Sequence, residues 1–309
     1  AVAYTDEGVE LRKAGIHLPI MVMSPEESSY DDMIDYKLEP EIYSLKVAKE
    51  FIYALQNKAI AEPYPIHIKL DTGMHRLGFE EQQLVELLSL LKHEPILQVK
   101  SIFSHLVASD ASNFDEFTNK QIKLFNSLSQ KIETEIGYSA IKHICNSGAI
   151  TRFKEAHYNM VRLGIGLYGV GFNEIEKNNL QNISSLKTRI SQIKHVAKGD
   201  TVGYNRNGVI TENTKIATIP IGYADGFSRK LGNGKFKVII NNTECYTIGN
   251  ICMDMCMINV SHVNCKEGDE VIIFESNIQL NQLSLAMETI PYEVLTSISS
   301  RVKRVYVQE

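Results

Sequence analysis

The sequence has no excess of positive charge. Its 32 Lys and Arg stand against 37 Asp and Glu, a formal net charge of −5 over 309 residues, so no global field draws in nucleic acid or an anionic membrane, and neither is expected as a partner. It also lacks the run of roughly 18 apolar residues that a membrane-spanning helix needs. The opening Ala1-Val2-Ala3-Tyr4 carries neither the basic nor the apolar part of an export signal. The five cysteines, Cys145, Cys245, Cys252, Cys256 and Cys265, form no Cys-x-x-Cys pair, which suits free thiols in a reducing cytoplasm. With no His or Cys at zinc-finger spacing beside Cys252 and Cys256, no metal site is expected. A nucleotide-type glycine loop is missing too, which argues against a doubly wound sheet. What is present is an ordinary globular composition, 44% hydrophobic and 22% charged, in a chain long enough for two domains or a large barrel with an attachment.

Apolar periodicity changes style between residues 170 and 185. Before that point, strand-like runs at 1–4, 18–23, 41–44, 65–70, 99–105, 141–145 and 160–168 alternate with helical patterns. One helix opens at Thr5, with Asp6 and Glu7 suited to its positive end. Others cover 80–91 and 114–135, where Phe117, Ile122, Phe125, Leu128 and Ile132 recur at helical spacing. Such βα repetition implies a parallel sheet with right-handed crossovers. The count of about seven strands against the eight of a closed (β/α)8 barrel reads as one βα unit short, most economically placed before Ala1. Beyond the switch, strands are expected at 185–196, 215–221, 236–240, 257–260, 270–274 and 301–308, turns at Gly232-Asn233-Gly234 and Asn241-Asn242, and one helix at 281–290. The expected architecture is therefore a TIM-type α/β barrel, N-terminally incomplete, over residues 1–175, followed by a mainly β domain over 176–309.

Polar groups gather at the ends of the expected barrel strands, the face on which such barrels host their sites. Lys69 and Arg76 bracket a glycine turn in Lys69-Leu70-Asp71-Thr72-Gly73-Met74-His75-Arg76-Leu77-Gly78, a pairing suited to an anion; the alternative is a strand-ending turn with surface charges. His105 closes another strand. His143 and Asn146-Ser147 close the next, with Ser147 opening a short helix at 148–153 whose backbone N–H groups suit phosphate, although Ser before a helix is usually only its cap. Arg162 stands in Met160-Val161-Arg162-Leu163-Gly164-Ile165-Gly166, whose glycines permit close approach of a ligand. Together these resemble equipment for a phosphorylated cofactor. The second domain adds Tyr204 in Val202-Gly203-Tyr204-Asn205-Arg206, Tyr223 in Gly222-Tyr223-Ala224-Asp225-Gly226, and Gly249-Asn250-Ile251-Cys252-Met253-Asp254. A phenol serves as a base only where cations lower its pKa well below about 10, and a tyrosine at a turn is more often a packing residue.

These motifs, in order and over essentially the whole chain, resemble alanine racemase, the fold-type III pyridoxal-phosphate enzyme. Decarboxylases related to it share the barrel-plus-β-domain plan, but the segments at 222–226 and 251–254 point to the racemase branch. The resemblance implies interconversion of L- and D-alanine for peptidoglycan synthesis by two-base proton exchange with pyridoxal 5'-phosphate. It implies that Arg162 faces the pyridine nitrogen as a permanent cation, with His143 supporting it and His105 beside the ring. Asn146 and Ser147 with the backbone of Gly164 and Ile165 correspond to the phosphate cradle. Arg76 corresponds to the arginine that binds the cofactor phenolate and the substrate carboxylate, and Lys69 to a lysine carbamylated in some members. Tyr204 corresponds to the tyrosine that exchanges the α-proton on one face, acting in the partner's site of a homodimer. Met253 and Asp254 lie on that contributed edge, with Tyr223 at the entrance.

The second base of the family is the lysine that holds the cofactor as a Schiff base, in a Lys-Ala-x-Ala-Tyr-Gly setting that does not occur in this sequence. The segment carrying it is expected to be the missing first strand. Two smaller departures are His75, where glycine is common, and Ser300, where many members have a phosphate-contacting tyrosine. Substrate breadth follows from such entrance residues. Two other readings stay open: a non-catalytic derivative that binds pyridoxal phosphate or a partner protein, and a broad-specificity amino-acid racemase.

Overall fold

Five short strands, each with residues facing a buried interior, pair in parallel and in sequential order: β1 Met21–Val22, β2 Glu39–Ile42, β3 Tyr64–Lys69, β4 Leu97–Phe103 and β5 Ile141–His143. The register sets Glu41 opposite His67, Lys69 opposite Phe103, and Phe103 opposite His143. The computed structural model describes residues 1–307, the side chain at position 174 excepted. Its chain divides into a unit of Ala1–Gly164 with Phe172–Ile175, and a second of Ile165–Gly171 with Glu176–Glu309. The segment from Ile165 to Gly171, read from sequence with the barrel, thus groups with the second unit.

Helices between the strands follow from local chemistry. Thr5–Lys13 begins where the Glu7 carboxylate accepts from the backbone N–H groups of Ala3 and Tyr4 at 2.7 and 2.8 Å, and it satisfies donors that a helix start leaves open. Leu45–Asn57 is capped by Ser44 and buries Val47, Ala48, Phe51 and Leu55 along one face. Asp115–Ile136 buries Phe125, Leu128 and Ile132 and stops at Gly137 in the left-handed region, φ 78°. Edge-to-face contacts join Phe51 to Tyr30 and Tyr64 at 5.4 and 5.3 Å, so the sheet and its helices share one core. The result is a parallel α/β barrel domain.

Two expected strands of this unit are not strands. Residues 160–168 form a loop and a 3-10 turn at Ile165–Tyr168: Gly164 and Gly166 offer no side chains to a pleated surface, and only the Arg162 N–H continues the pairing, to Cys145 O at 2.9 Å. Residues 1–4 contribute a single bridge, Val2 to Val22. The count of seven on which the expected deficit rested therefore does not hold. The short helix read at 148–153 is Ser147–Ile150, with Asn146 at its N-cap position.

The second unit is mainly β. A seven-stranded antiparallel sheet has the order β6-β14-β11-β12-β13-β10-β7, and β8 pairs β9 separately; the strands are β6 Leu186–Arg189, β7 Gln192–Val196, β8 Thr201–Val202, β9 Gly208–Val209, β10 Thr214–Ile219, β11 Lys237–Ile240, β12 Thr243–Ile248, β13 Cys256–Asn259 and β14 Glu270–Phe274. The single strand expected at 185–196 is two, β6 and β7, at opposite edges. Ile190 and Ser191 make the corner, their N–H groups donating to Asp269 O and Thr218 O, and alternation carries on through such a corner because it does not register a change of partner. The Asn241-Asn242 turn, φ 49° and 60°, joins β11 to β12 as a tight hairpin. Helices stand at Asn277–Ala286 and Pro291–Ser297 rather than at 281–290 alone. Residues 301–307 form no strand; Arg304 instead donates to the carbonyls of Ser299, Val302 and Ile298. Gln308 lies outside the described residues. Among those residues no helix is long and apolar enough to cross a membrane, and no three His, Cys, Asp or Glu form a metal-holding group.

Candidate active site

The end of β3 turns into the 71–78 loop by a carboxylate cap. Asp71 Oδ1 accepts from the N–H groups of Gly73, Met74 and His75 at 2.8, 3.0 and 3.1 Å, which gathers the loop that carries Arg76. His75 sits at φ 55°, a left-handed conformation in which glycine is least strained. At Gly78, φ 128°, an added Cβ would meet Asp71 N at 2.6 Å, so the return of the loop to the strand requires glycine. Arg76 is exposed, whereas Lys69 is buried.

Lys69 faces Glu41 on the neighbouring strand. Its Nζ lies 2.9 Å from Oε1, with side-chain exposures of 5% and 0%; neither carboxylate oxygen finds a well-aligned hydrogen bond among the described residues. Burial pushes the Glu41 carboxyl up, while Lys69, Arg76 and Arg162 pull it back. Lys69 and Arg162 each lie 5.5 Å from the centre of the Phe103 ring, a favourable cation–π distance, and His143 stacks on the same ring at 4.9 Å.

Arg162 is the hub. One guanidinium nitrogen donates to His143 Nδ1 at 2.6 Å and to His143 O at 3.2 Å. The other donates to Ser104 O at 2.6 Å and Ile144 O at 3.1 Å, and reaches His105 Nδ1 at 3.4 Å. Burial and the Arg162 charge hold both imidazoles neutral: His143 is lowered to about 3, with His67 adding to the effect, and His105 to about 4, with Arg76 and Lys69 adding to it. Burial also brings Arg162 down to about 10, which leaves it a cation at neutral pH. At the next strand end Ser147 Oγ accepts from Gly164 N at 2.9 Å. Asn146 is held by Ser109 Oγ at 2.7 Å and by Leu106 O at 3.2 Å. Lys69, Arg76, His105, His143, Asn146, Ser147, Arg162 and Gly164 thus belong to consecutive strand ends and loops of the first unit.

Tyr204, Tyr223, Met253 and Asp254 belong to the second unit, as does buried Ile165. Tyr204 is 70% exposed and follows Gly203 at φ 76° in a turn with Asn205 and Arg206 at φ 56° and 54°. Asn250 fixes that turn: its Nδ2 donates to Tyr204 O at 3.1 Å, while its Oδ1 accepts from Asn233 and Asn207 at 3.0 and 3.3 Å. The motifs at 222–226 and 251–254 are one structure. Tyr223 N and Ala224 N donate to Cys252 O and Met253 O at 3.1 and 3.0 Å, and a Cβ on Gly222 would stand 2.3 Å from both carbonyl oxygens. Arg301 clamps the pair from outside, Nε to Asp225 Oδ1 at 2.7 Å and Nη2 to Asp254 Oδ1 at 2.6 Å.

Sequence reasoning missed Glu41, Asn250 and the clamp by Arg301. A signal for the first was available: Glu39 and Glu41, His67 and Lys69, and Ser101, Phe103 and His105 each recur with the period of two that places them on one face of consecutive strands.

Residues 1–171 match the family model described as the alanine racemase N-terminal domain, and residues 183–306 match its C-terminal domain. Alanine racemase 1 of Clostridium acetobutylicum is 40% identical, the match covering 100% of this chain and 81% of that protein. The solved alanine racemase of Clostridium difficile 630 superposes with a TM-score of 0.89 at 36% identity, covering 99% of this chain and 80% of that one. That of D-cycloserine-producing Streptomyces lavendulae gives 0.91 at 27% identity, covering 99% and 82%. With both halves matched in order and the strand-end groups of each described above, the chain belongs to the alanine racemase family.

Proposed function

We propose that this protein interconverts L- and D-alanine with pyridoxal 5'-phosphate, supplying D-alanine for peptidoglycan. The observation that carries the reading is Arg162, a half-buried guanidinium held, among the described residues, by carbonyls and by two imidazoles kept neutral. The donor set fits the cofactor: a permanent cation for the pyridine nitrogen, and at the other end the Ser147 hydroxyl beside the Gly164 amide with no Cβ at 164 to crowd a phosphate, the nearest atom to such a Cβ being Ser147 Oγ at 3.6 Å. When bound, the cofactor withdraws electrons from the substrate and makes its α-hydrogen acidic.

The chain's own residues do the rest. Arg162 disfavours a proton on the ring nitrogen, His105 lies by the ring as a neutral group, and Asn146, Ser147, Gly164 and Ile165 hold the phosphate. Arg76 binds the substrate carboxylate. Tyr204 Oη takes and returns the α-proton on one face, with Met253 and Asp254 on the same edge and Tyr223 at the entrance; its exposure suits a residue offered to a second copy of the chain, so the working form is a homodimer. Lys69 pairs with Glu41 at 2.9 Å, and the Glu41 carboxylate supports Arg76 through charge. Five free cysteines suit action in the cytoplasm.

Proton exchange on the opposite face needs the cofactor lysine, whose setting does not occur among these 309 residues. A longer chain that also carries the lysine segment holds pyridoxal phosphate as a borohydride-trappable lysine adduct and racemises alanine. Turnover of L- to D-alanine and back, followed by circular dichroism, tests the reading in that longer chain. Tyr204→Phe removes turnover in both directions and keeps cofactor binding. Near-normal turnover in the variant would show that the second base lies elsewhere.

A further inference from the structure

Half-buried Arg162 is the first link of a longer series that runs into the core. His143, whose Nδ1 accepts from Arg162 at 2.6 Å, places Nε2 3.1 Å from Ser101 Oγ. Ser101 Oγ lies 2.7 Å from His67 Nδ1, and His67 Nε2 lies 2.8 Å from Glu39 Oε2. Glu39, His67, Ser101 and His143 are all buried, and they come from four neighbouring strands, β2 to β5, with Ser101 the register partner of His67. No carboxylate pairs directly with Arg162 among the described residues.

The proton order along this series is dictated from one end. A guanidinium has no acceptor, so His143 Nδ1 must be bare and its one proton must sit on Nε2. That N–H donates to Ser101 Oγ, which leaves the hydroxyl proton for His67 Nδ1. His67 then carries its proton on Nε2 and donates it to the Glu39 carboxylate, the one member that only accepts. Every bond points from the cation toward the anion, an arrangement in which neighbouring bonds polarise one another.

We propose that Glu39, His67 and Ser101 are positioning residues for Arg162, forming a one-way hydrogen-bond relay that fixes the His143 ring and through it the guanidinium. A carboxylate in direct contact would damp the field of Arg162 where the reaction uses it; the relay orients the cation with three residues between it and Glu39, while Glu41, which acts on Arg162 through charge alone, is paired to Lys69. The catalytic consequence rests on the proposed racemase reading, whereas the proton order does not.

Two measurements test this on the protein loaded with pyridoxal phosphate. In the first, 15N-histidine NMR of the unaltered chain reads ring protonation. Both His143 and His67 are expected neutral with the proton on Nε2; a proton on Nδ1 of either, or an imidazolium at His67, overturns the relay. In the second, run in the longer chain with the lysine segment, Ser101→Ala is expected to lower kcat in both directions about fivefold, the scale of one lost hydrogen bond between neutral groups, with KM for alanine unchanged. Ser101→Thr, which keeps the hydroxyl, is expected to restore kcat. Unchanged kcat in Ser101→Ala overturns the positioning role, as does a loss that Ser101→Thr shares while folded. If the unaltered longer chain fails to racemise, the racemase reading falls and the histidine states still decide the relay.

Discussion

Replacing Lys69 by Met removes one partner of a fully enclosed ion pair. The Glu41 side chain has no exposure and stands 2.9 Å from the Lys69 nitrogen, so the variant leaves a carboxylate with neither water nor counter-ion in contact. Breaking such a pair from one side costs about 3–5 kcal/mol, and for a domain of this size the melting temperature should fall by roughly 10 °C. The deficit has a defined pH dependence. Burial already raises the Glu41 pKa in the folded chain, and removing Lys69 raises it further. Between the ordinary carboxylate pKa and the raised folded value, the folded state binds a proton that the unfolded state does not, so stability falls as pH rises through that window and recovers as pH drops. Urea unfolding of variant and parent side by side at each pH cancels what other groups contribute. The deficit is expected to be largest at neutral pH and to shrink toward acid. Glu41→Leu with Lys69→Met together should return to within about 1 kcal/mol of the parent, since an apolar pair of similar volume replaces both charges. A single-variant loss under about 1 kcal/mol, or one that is flat with pH, would refute the enclosed ion pair.

Two further outcomes are expected. His143 at about 3 and His105 at about 4 both lie below the ordinary histidine value, so the unfolded chain takes up protons first on acidification; unaltered protein should lose about 1.4 kcal/mol per pH unit per histidine below about 6.5, less what Glu41 returns, and a His143→Asn variant should show a shallower loss in urea titrations. Gly222→Ala drives a methyl to 2.3 Å from two carbonyl oxygens and should destabilise the second unit by at least about 2 kcal/mol, read as a melting shift; an unshifted melt would mean that the two motifs are not locked together.

The parallel sheet was legible because βα alternation is a local pattern, and the strand-end residues were legible because the barrel plan says where strand ends go. What escaped depends on partners distant in sequence. Glu39-Pro40-Glu41 reads as a polar surface strand until His67, Ser101 and Lys69 arrive from the next strands to enclose it. Residues 160–168 look like a strand by composition, yet two glycines and the five-way grip on Arg162 hold them in a loop. The strand β12, Thr243–Ile248, alternates polar and apolar too weakly to separate from its hairpin turn. Arg301, read as part of a strand, spends its side chain on Asp225 and Asp254, a use that no local pattern records.

The corner at Ile190 and Ser191 also has a consequence in time. It sends two successive strands to opposite edges of the same sheet, so β6 pairs only with β14, with Arg189 opposite Glu270. A ribosome adding about 5–20 residues per second makes those 81 further residues (270 − 189) in roughly 4–16 s. For that interval β6 is an edge without a neighbour, and its Lys187 and Arg189 are the charges that keep a waiting strand from pairing with another nascent chain.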